Sequence, residues 1–98
     1  MQKLGQPLKF DWDQGNINKN SAKHDVTDEE SEEVFFDKHK TILKDPLHSG
    51  KEERYIIIGQ TKAERLLFVA FTFRKNKVRI ISARDLNKKE YYLYEKRT

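Results

Sequence analysis

The chain has 98 residues, of which 37% are charged and 36% hydrophobic, and a formal net charge of +4. This is enough for one domain with a modest core and a largely ionic surface, and too little for two. The lack of cysteine excludes a disulfide framework and a thiolate zinc site and suits a reducing compartment. No apolar run reaches the roughly 20 residues that span a bilayer, so a cytoplasmic protein without a membrane segment is expected.

Residues 1–8, broken by Gly5 and Pro7, read as an N-terminal tail ahead of a single domain over 9–98. Residues 8–12 alternate apolar and polar, which predicts a short edge strand with Leu8, Phe10 and Trp12 on the core side. Asp13 is the expected N-cap of a helix running to about Lys23, with Ile17 and His24 on one face. Thr27-Asp28-Glu29-Glu30 is a capping box that opens a second helix. Its first turn is acidic, as the helix dipole favours, and it buries Val34 and Phe35. A strand is expected over 38–43, ended by Asp45-Pro46, and a polar loop over 47–52.

Residues 54–59, 65–73 and 77–83 are rich in β-branched and aromatic residues and bounded by polar ones, which predicts three consecutive strands. With Lys75 and Asn76 as a two-residue turn, Arg74 pairs with Lys77, Thr72 with Arg79 and Leu67 with Arg84. Side-chain alternation then gives a core face of Leu67, Val69, Phe71, Phe73, Val78 and Ile80, ending in Arg65 and Arg84. The opposite, mixed face has a basic patch of Arg74, Lys77 and Arg79 toward the turn. Asn87 and Glu90 form a second capping box, with Leu86 placed to staple Tyr91, so a C-terminal helix closes the chain with Lys96 and Arg97 in its last turn. The fold class is α+β, a small antiparallel sheet packed with N-terminal helices and a C-terminal helix.

Charge is unevenly spread. Residues 1–53 carry a net −4, residues 54–84 a net +7 and residues 85–98 a net +1. A cationic sheet attracts phosphate backbones through Coulomb steering and counterion release, and it is equally suited to pairing with the acidic helices. No glycine-rich phosphate loop or nucleophile elbow is present. His39, His48, Asp37 and Asp45 lack metal-site spacing, so neither a metal nor a cofactor is expected. What remains for chemistry is Arg54, Arg65, Arg79 and Arg84, with Lys51, Glu53 and His24 as proton-transfer candidates. RNA cleavage without a metal needs a base for the 2′-hydroxyl, cations for the phosphate and a donor for the leaving oxygen. Arginine's planar, permanently charged fork suits the second task. The same arginines can instead serve as structural ion pairs that cap the sheet.

Phe10-Asp11-Trp12-Asp13, Asn18-Lys19, Lys23-His24, Glu33-Val34-Phe35-Phe36-Asp37, Asp45-Pro46, Glu53-Arg54-Tyr55-Ile56-Ile57-Ile58-Gly59 and Arg79-Ile80-Ile81-Ser82-Ala83-Arg84 together resemble, in order, the BrnT toxins of type II toxin–antitoxin systems. The resemblance spans about residues 9–95. It implies a RelE-like fold and a ribonuclease that blocks translation and growth. It also implies a BrnA-type antitoxin whose ribbon-helix-helix domain binds operator DNA for the pair. Carried onto matching motifs, it implicates Arg54, Arg79 and Arg84, then His24, in catalysis; Arg65, Arg74, Lys75 and Lys77 are expected to bind RNA. It departs from the family at Asp25, where relatives have glycine after Lys-His and a left-handed cap is expected. The alternative is a non-catalytic module that grips nucleic acid or an acidic partner with its basic sheet.

Overall fold

The β-branched and aromatic runs do form the sheet. The computed structural model describes residues 8–47, 50 and 52–94. In it Thr41–Lys44 (β1), Tyr55–Gln60 (β2), Leu66–Arg74 (β3) and Lys77–Asp85 (β4) pair antiparallel in the order β1-β2-β3-β4. Helices Lys19–His24 (α1) and Asp28–Glu33 (α2) precede it, α2 running into a 3₁₀ turn over Val34–Phe36, and a 3₁₀ helix over Lys88–Leu93 follows it.

One sheet face is the core. Tyr55 and Ile57 of β2, Leu67, Val69 and Phe71 of β3, and Val78, Ile80 and Ala83 of β4 are buried with Val26, Val34 and Phe35 from the helical side. Phe35 meets Phe71 edge-on at 5.0 Å and Phe10 at 5.4 Å, an arrangement aromatic rings prefer. Each such fully buried side chain contributes roughly 1.5–3 kcal/mol. The backbones of β2 and the Val34 turn come so close at Gly59 that a Cβ there would lie 2.9 Å from the Val34 carbonyl oxygen.

The hairpin turn is as expected: Lys75 and Asn76 are both left-handed, with φ of 54° and 65°, which matches the twist of the flanking strands. Arg74 faces Lys77 and Thr72 faces Arg79. The expected pairing of Leu67 with Arg84 is corrected by a bulge. Phe71 pairs with Ile80 and Ala70 with Ser82, so Ile81 is the extra residue, Leu67 faces Asp85 and Phe68 faces Arg84. One inserted residue reverses the faces beyond it. Ala83 therefore turns into the core, and Arg84 moves to the face that carries Arg79.

Three other elements differ from expectation. The N-terminal strand is reduced to a parallel bridge between Phe10 and Val78, in which the Val78 amide donates to Lys9 and the Asp11 amide to Val78, although Leu8, Phe10 and Trp12 do pack on the core. Beyond it, α1 starts only at Lys19, because Asn18 is left-handed (φ 59°) and residues 14–18 form turns instead. Those turns bury Asn16, whose side-chain amide donates to the Asp11 and Ile80 carbonyls; from α1 the Asn20 side-chain oxygen accepts from the Ala83 amide. Two asparagines thus take up the Ile80 carbonyl and the Ala83 amide on the outer edge of β4, groups that otherwise need a further strand. Ile17 stays 46% exposed. The strand expected over 38–43 is Thr41–Lys44, since the Asp37 carboxylate accepts the His39 amide and turns the chain there.

Both capping boxes form, whereas the cap expected at Asp13 does not, since α1 begins at Lys19 after Asn18. Thr27 and Glu30 exchange both capping-box bonds, as do Asn87 and Glu90, although the C-terminal element is 3₁₀ and not α-helical. Asp25 takes the left-handed cap of α1 at φ 57°. The tail residues 1–7 and the expected last turn with Lys96 and Arg97 lie outside the described residues.

Candidate nucleic-acid cleft

On the face opposite the core, near the β3–β4 turn, Thr72 and Arg74 of β3 stand beside Arg79 of β4. The chain leading into β2 adds Glu52 and Arg54, and Gly15, Asn16 and Lys19 close one side. The resulting cleft has a volume of about 180 Å³. Thr72 shapes it: its buried hydroxyl donates to the Glu53 carbonyl at 2.7 Å, fixing the strand lead-in. Alternation then sends Glu52 and Arg54 toward the cleft and Glu53 away from it.

The cations here come with carboxylate partners. Arg74 forks onto Glu52, Nη2 donating to Oε1 at 3.1 Å and Nε to Oε2 at 3.2 Å. Arg79 forks onto Asp13 at 2.9 and 3.1 Å and reaches Asp11 at 3.4 Å. The hydrogen bond from Arg79 holds Asp13 below the usual carboxylate range, helped by the Gly15 amide, while Asp13 in turn raises Arg79. Glu52 is likewise lowered, chiefly by its hydrogen bond with Arg74 and then, after opposing desolvation, by the charges of Arg74, Arg54 and Arg79. A Cβ at position 15 would lie 2.8 Å from Arg79 Nη2, so a side chain in place of Gly15 would push the end of the Arg79 guanidinium aside.

Of the residues singled out from sequence, Arg54, Arg74 and Arg79 meet in this cleft. Arg84 shares its face but sits farther along β4, stacked 4.0 Å over the Phe68 ring and paired with both Glu90 oxygens at 2.8 Å. Arg65 lies at the core-side edge. Its guanidinium donates to Asp85 at 2.7 and 3.2 Å, to Glu30, and to the Asp25 and His24 carbonyls, clasping the α1–α2 junction to β4. His24 is exposed at that junction and does not line the cleft. Glu53 faces away, accepting from Lys44 Nζ and the Tyr55 hydroxyl at 3.0 Å each. Lys75 and Lys77 are exposed at the hairpin tip, and Lys51 lies outside the described residues.

Sequence reasoning did not single out Glu52, Thr72, Lys19 or Asp13 for this site. Glu52 and Thr72 were within its reach, since Glu52 is two residues from Arg54 and Thr72 pairs with Arg79. The Arg79–Asp13 pair joins residues 66 positions apart and leaves no local mark. A larger hollow of about 740 Å³ lies elsewhere, between α2 and the end of β2, with Glu29, Glu32, Phe36 and Lys62 in its walls. Among the described residues no group of three or more His, Asp or Glu side chains is placed to hold a metal, and no helix is long and apolar enough to cross a membrane.

These features define a small α+β domain that gathers guanidinium groups on one open sheet face. Residues 12–90 match the family described as ribonuclease toxin, BrnT, of type II toxin–antitoxin system. The chain belongs to that family, and the match takes in every residue that lines the cleft. The four-stranded antiparallel sheet with its few helices is compatible with a RelE-like arrangement. A comparison with curated proteins gave no match.

Proposed function

We propose that this ribonuclease toxin is an endoribonuclease that cuts RNA without a metal ion, that the cleft between β3, β4 and the lead-in to β2 holds the scissile phosphate, and that a BrnA-type antitoxin neutralises it. The observation that carries this reading is the convergence of Arg54, Arg74 and Arg79, with Lys19 opposite, on one concave surface. Guanidinium forks bind phosphate oxygens bidentately and stabilise the charge that develops as the phosphate is attacked. Arg84 extends the basic track roughly 15 Å along β4. Blocked translation and growth arrest follow from cleavage of cellular RNA in the cytoplasm.

The antitoxin is expected to lay an acidic segment over the cleft, because such a segment competes directly with RNA for the same cations, and to bring operator DNA to the pair through a ribbon-helix-helix domain. Purified protein incubated with RNA in EDTA should cut it internally, and added antitoxin should protect it. RNA left intact, together with normal growth on expression, would sink the proposal. One observation favours the non-catalytic alternative: Arg74 and Arg79 are already paired with carboxylates, as structural cations are. If the protein shows no cleavage to lose and Arg54→Ala only weakens RNA binding and reduces its salt dependence, the binding-module reading holds.

A further inference from the structure

We infer that, on the ribonuclease reading above, the Glu52 carboxylate is the proton acceptor of the cleft and takes the proton of the ribose 2′-hydroxyl next to the scissile phosphate. Among the described residues Glu52 is the one carboxylate in the cleft lining. Its neighbour Glu53, the more obvious choice from sequence, does not line the cleft and is tied to Lys44 and Tyr55. Asp13 is committed to the Arg79 fork and to the Gly15 amide.

Glu52 also has room to work. An ionised carboxylate offers about four acceptor positions, and the Arg74 fork uses two. The side chain is 45% exposed, so a ribose can reach it. The Thr72 hydroxyl fixes the backbone from which Glu52 projects. The surrounding arginines keep the group ionised in the free protein. An RNA phosphate that draws the Arg74 fork to itself removes the hydrogen bonds that depress the basicity of Glu52, so the carboxylate becomes a better base when substrate arrives.

In the step itself, Glu52 accepts the 2′-hydroxyl proton and the freed oxygen bonds to the adjacent phosphorus. The bond from phosphorus to the 5′-oxygen breaks, and that oxygen takes a proton from water. The products are a 2′,3′-cyclic phosphate and a 5′-hydroxyl. The remaining hydroxide recovers the proton from Glu52, which returns to its starting state.

The test is single-turnover cleavage of a short RNA by the wild type and by Glu52→Gln, Glu52→Asp, Glu53→Gln and Arg54→Ala, with RNA affinity and melting temperature measured alongside. Glu52→Gln keeps the size of the side chain and can still bond to Arg74. It should lower the cleavage rate on the order of 10²-fold or more without weakening RNA binding, leave the melting temperature in place, and abolish the acidic limb of the pH–rate profile. Glu52→Asp should recover part of the rate. Cleavage by Glu52→Gln at the wild-type rate while Arg54→Ala is inactive would overturn the assignment and leave the ribonuclease reading standing. So would a selective loss in Glu53→Gln. Wild-type protein that binds the RNA without cutting it would overturn both.

Discussion

Arg79 and Asp13 face each other as a fork and its match, Nη2 donating to Oδ1 at 2.9 Å and Nη1 to Oδ2 at 3.1 Å. A carboxylate held this way occupies the positions that two phosphate oxygens would take, and Arg79 keeps only 13% of its side chain exposed. An RNA phosphate therefore has to displace Asp13 to use that fork. Asp13→Asn can still accept from the Gly15 amide but removes the competing charge. It should tighten RNA binding several-fold and steepen its salt dependence, measured by fluorescence anisotropy across a salt series. Unchanged affinity would mean that Arg79 does not meet the phosphate.

The Tyr94–Asp37 tie should give the fold two pH limits. Burial works against the Asp37 charge, but bonds from the Tyr94 hydroxyl at 2.7 Å, the Gln60 amide at 2.8 Å and the His39 amide at 3.0 Å hold its pKa below the ordinary 3.8. A depressed carboxylate stabilises the fold above its unfolded value, and that share is lost as pH falls toward the lower folded one. Burial and the bond to Asp37 push Tyr94 the other way, from 10.0 up to about 12. Its stabilising share is whole below pH 10.0 and disappears as pH rises toward about 12. Tyr94→Phe should cost roughly 1 kcal/mol at neutral pH, remove the Tyr94 share of the alkaline loss and shrink the acid one. Urea unfolding at pH 3, 7 and 11 reads all three.

Gly59→Ala is expected to destabilise the protein by roughly 1–3 kcal/mol. The new Cβ would lie 2.9 Å from the Val34 carbonyl oxygen and 3.0 Å from Val34 Cβ. Neither atom is the end of a flexible side chain, so β2 and the Val34 turn must separate. A lower denaturation midpoint with an unchanged m-value checks this, and an unaltered midpoint would mean that the two backbones are free to move apart.

Where interactions are local, the sequence was a sufficient guide. Both capping boxes join residues three apart, and the β3–β4 turn follows from the readiness of Asn76 to take positive φ, so the caps and the turn form as read. The basic patch at the turn was legible for the same reason, since Arg74 and Arg79 follow from that register. The rest depended on distant partners. Asp13 was expected to cap a helix, but its carboxylate goes to Arg79 and Gly15. Adjacent Ile80 and Ile81 break the apolar alternation, the one sign of the bulge, and that single residue moved Arg84 from the core-side edge to the face of the cleft.

Arg65 gives the sharpest test of which arginines hold the fold and which, on the proposed function, meet RNA. It was expected to bind RNA, yet its guanidinium spends its donors on Asp85, Glu30 and two backbone carbonyls at the junction of α1, α2 and β4. These bonds raise its pKa, the one to Asp85 most. With 26% of the side chain still exposed, solvent screening weakens each bond. Arg65→Ala should therefore cost roughly 1–3 kcal/mol, within the range for hydrogen bonds to charged groups left without a partner, and lower the melting temperature. RNA cleavage per folded molecule should stay as in the wild type, because Arg65 does not line the cleft. Arg54→Ala should lose cleavage per folded molecule, because Arg54 does line the cleft. If Arg65→Ala instead melts normally and fails to cut, RNA reaches the core-side edge of the sheet and the cleft is not its only path.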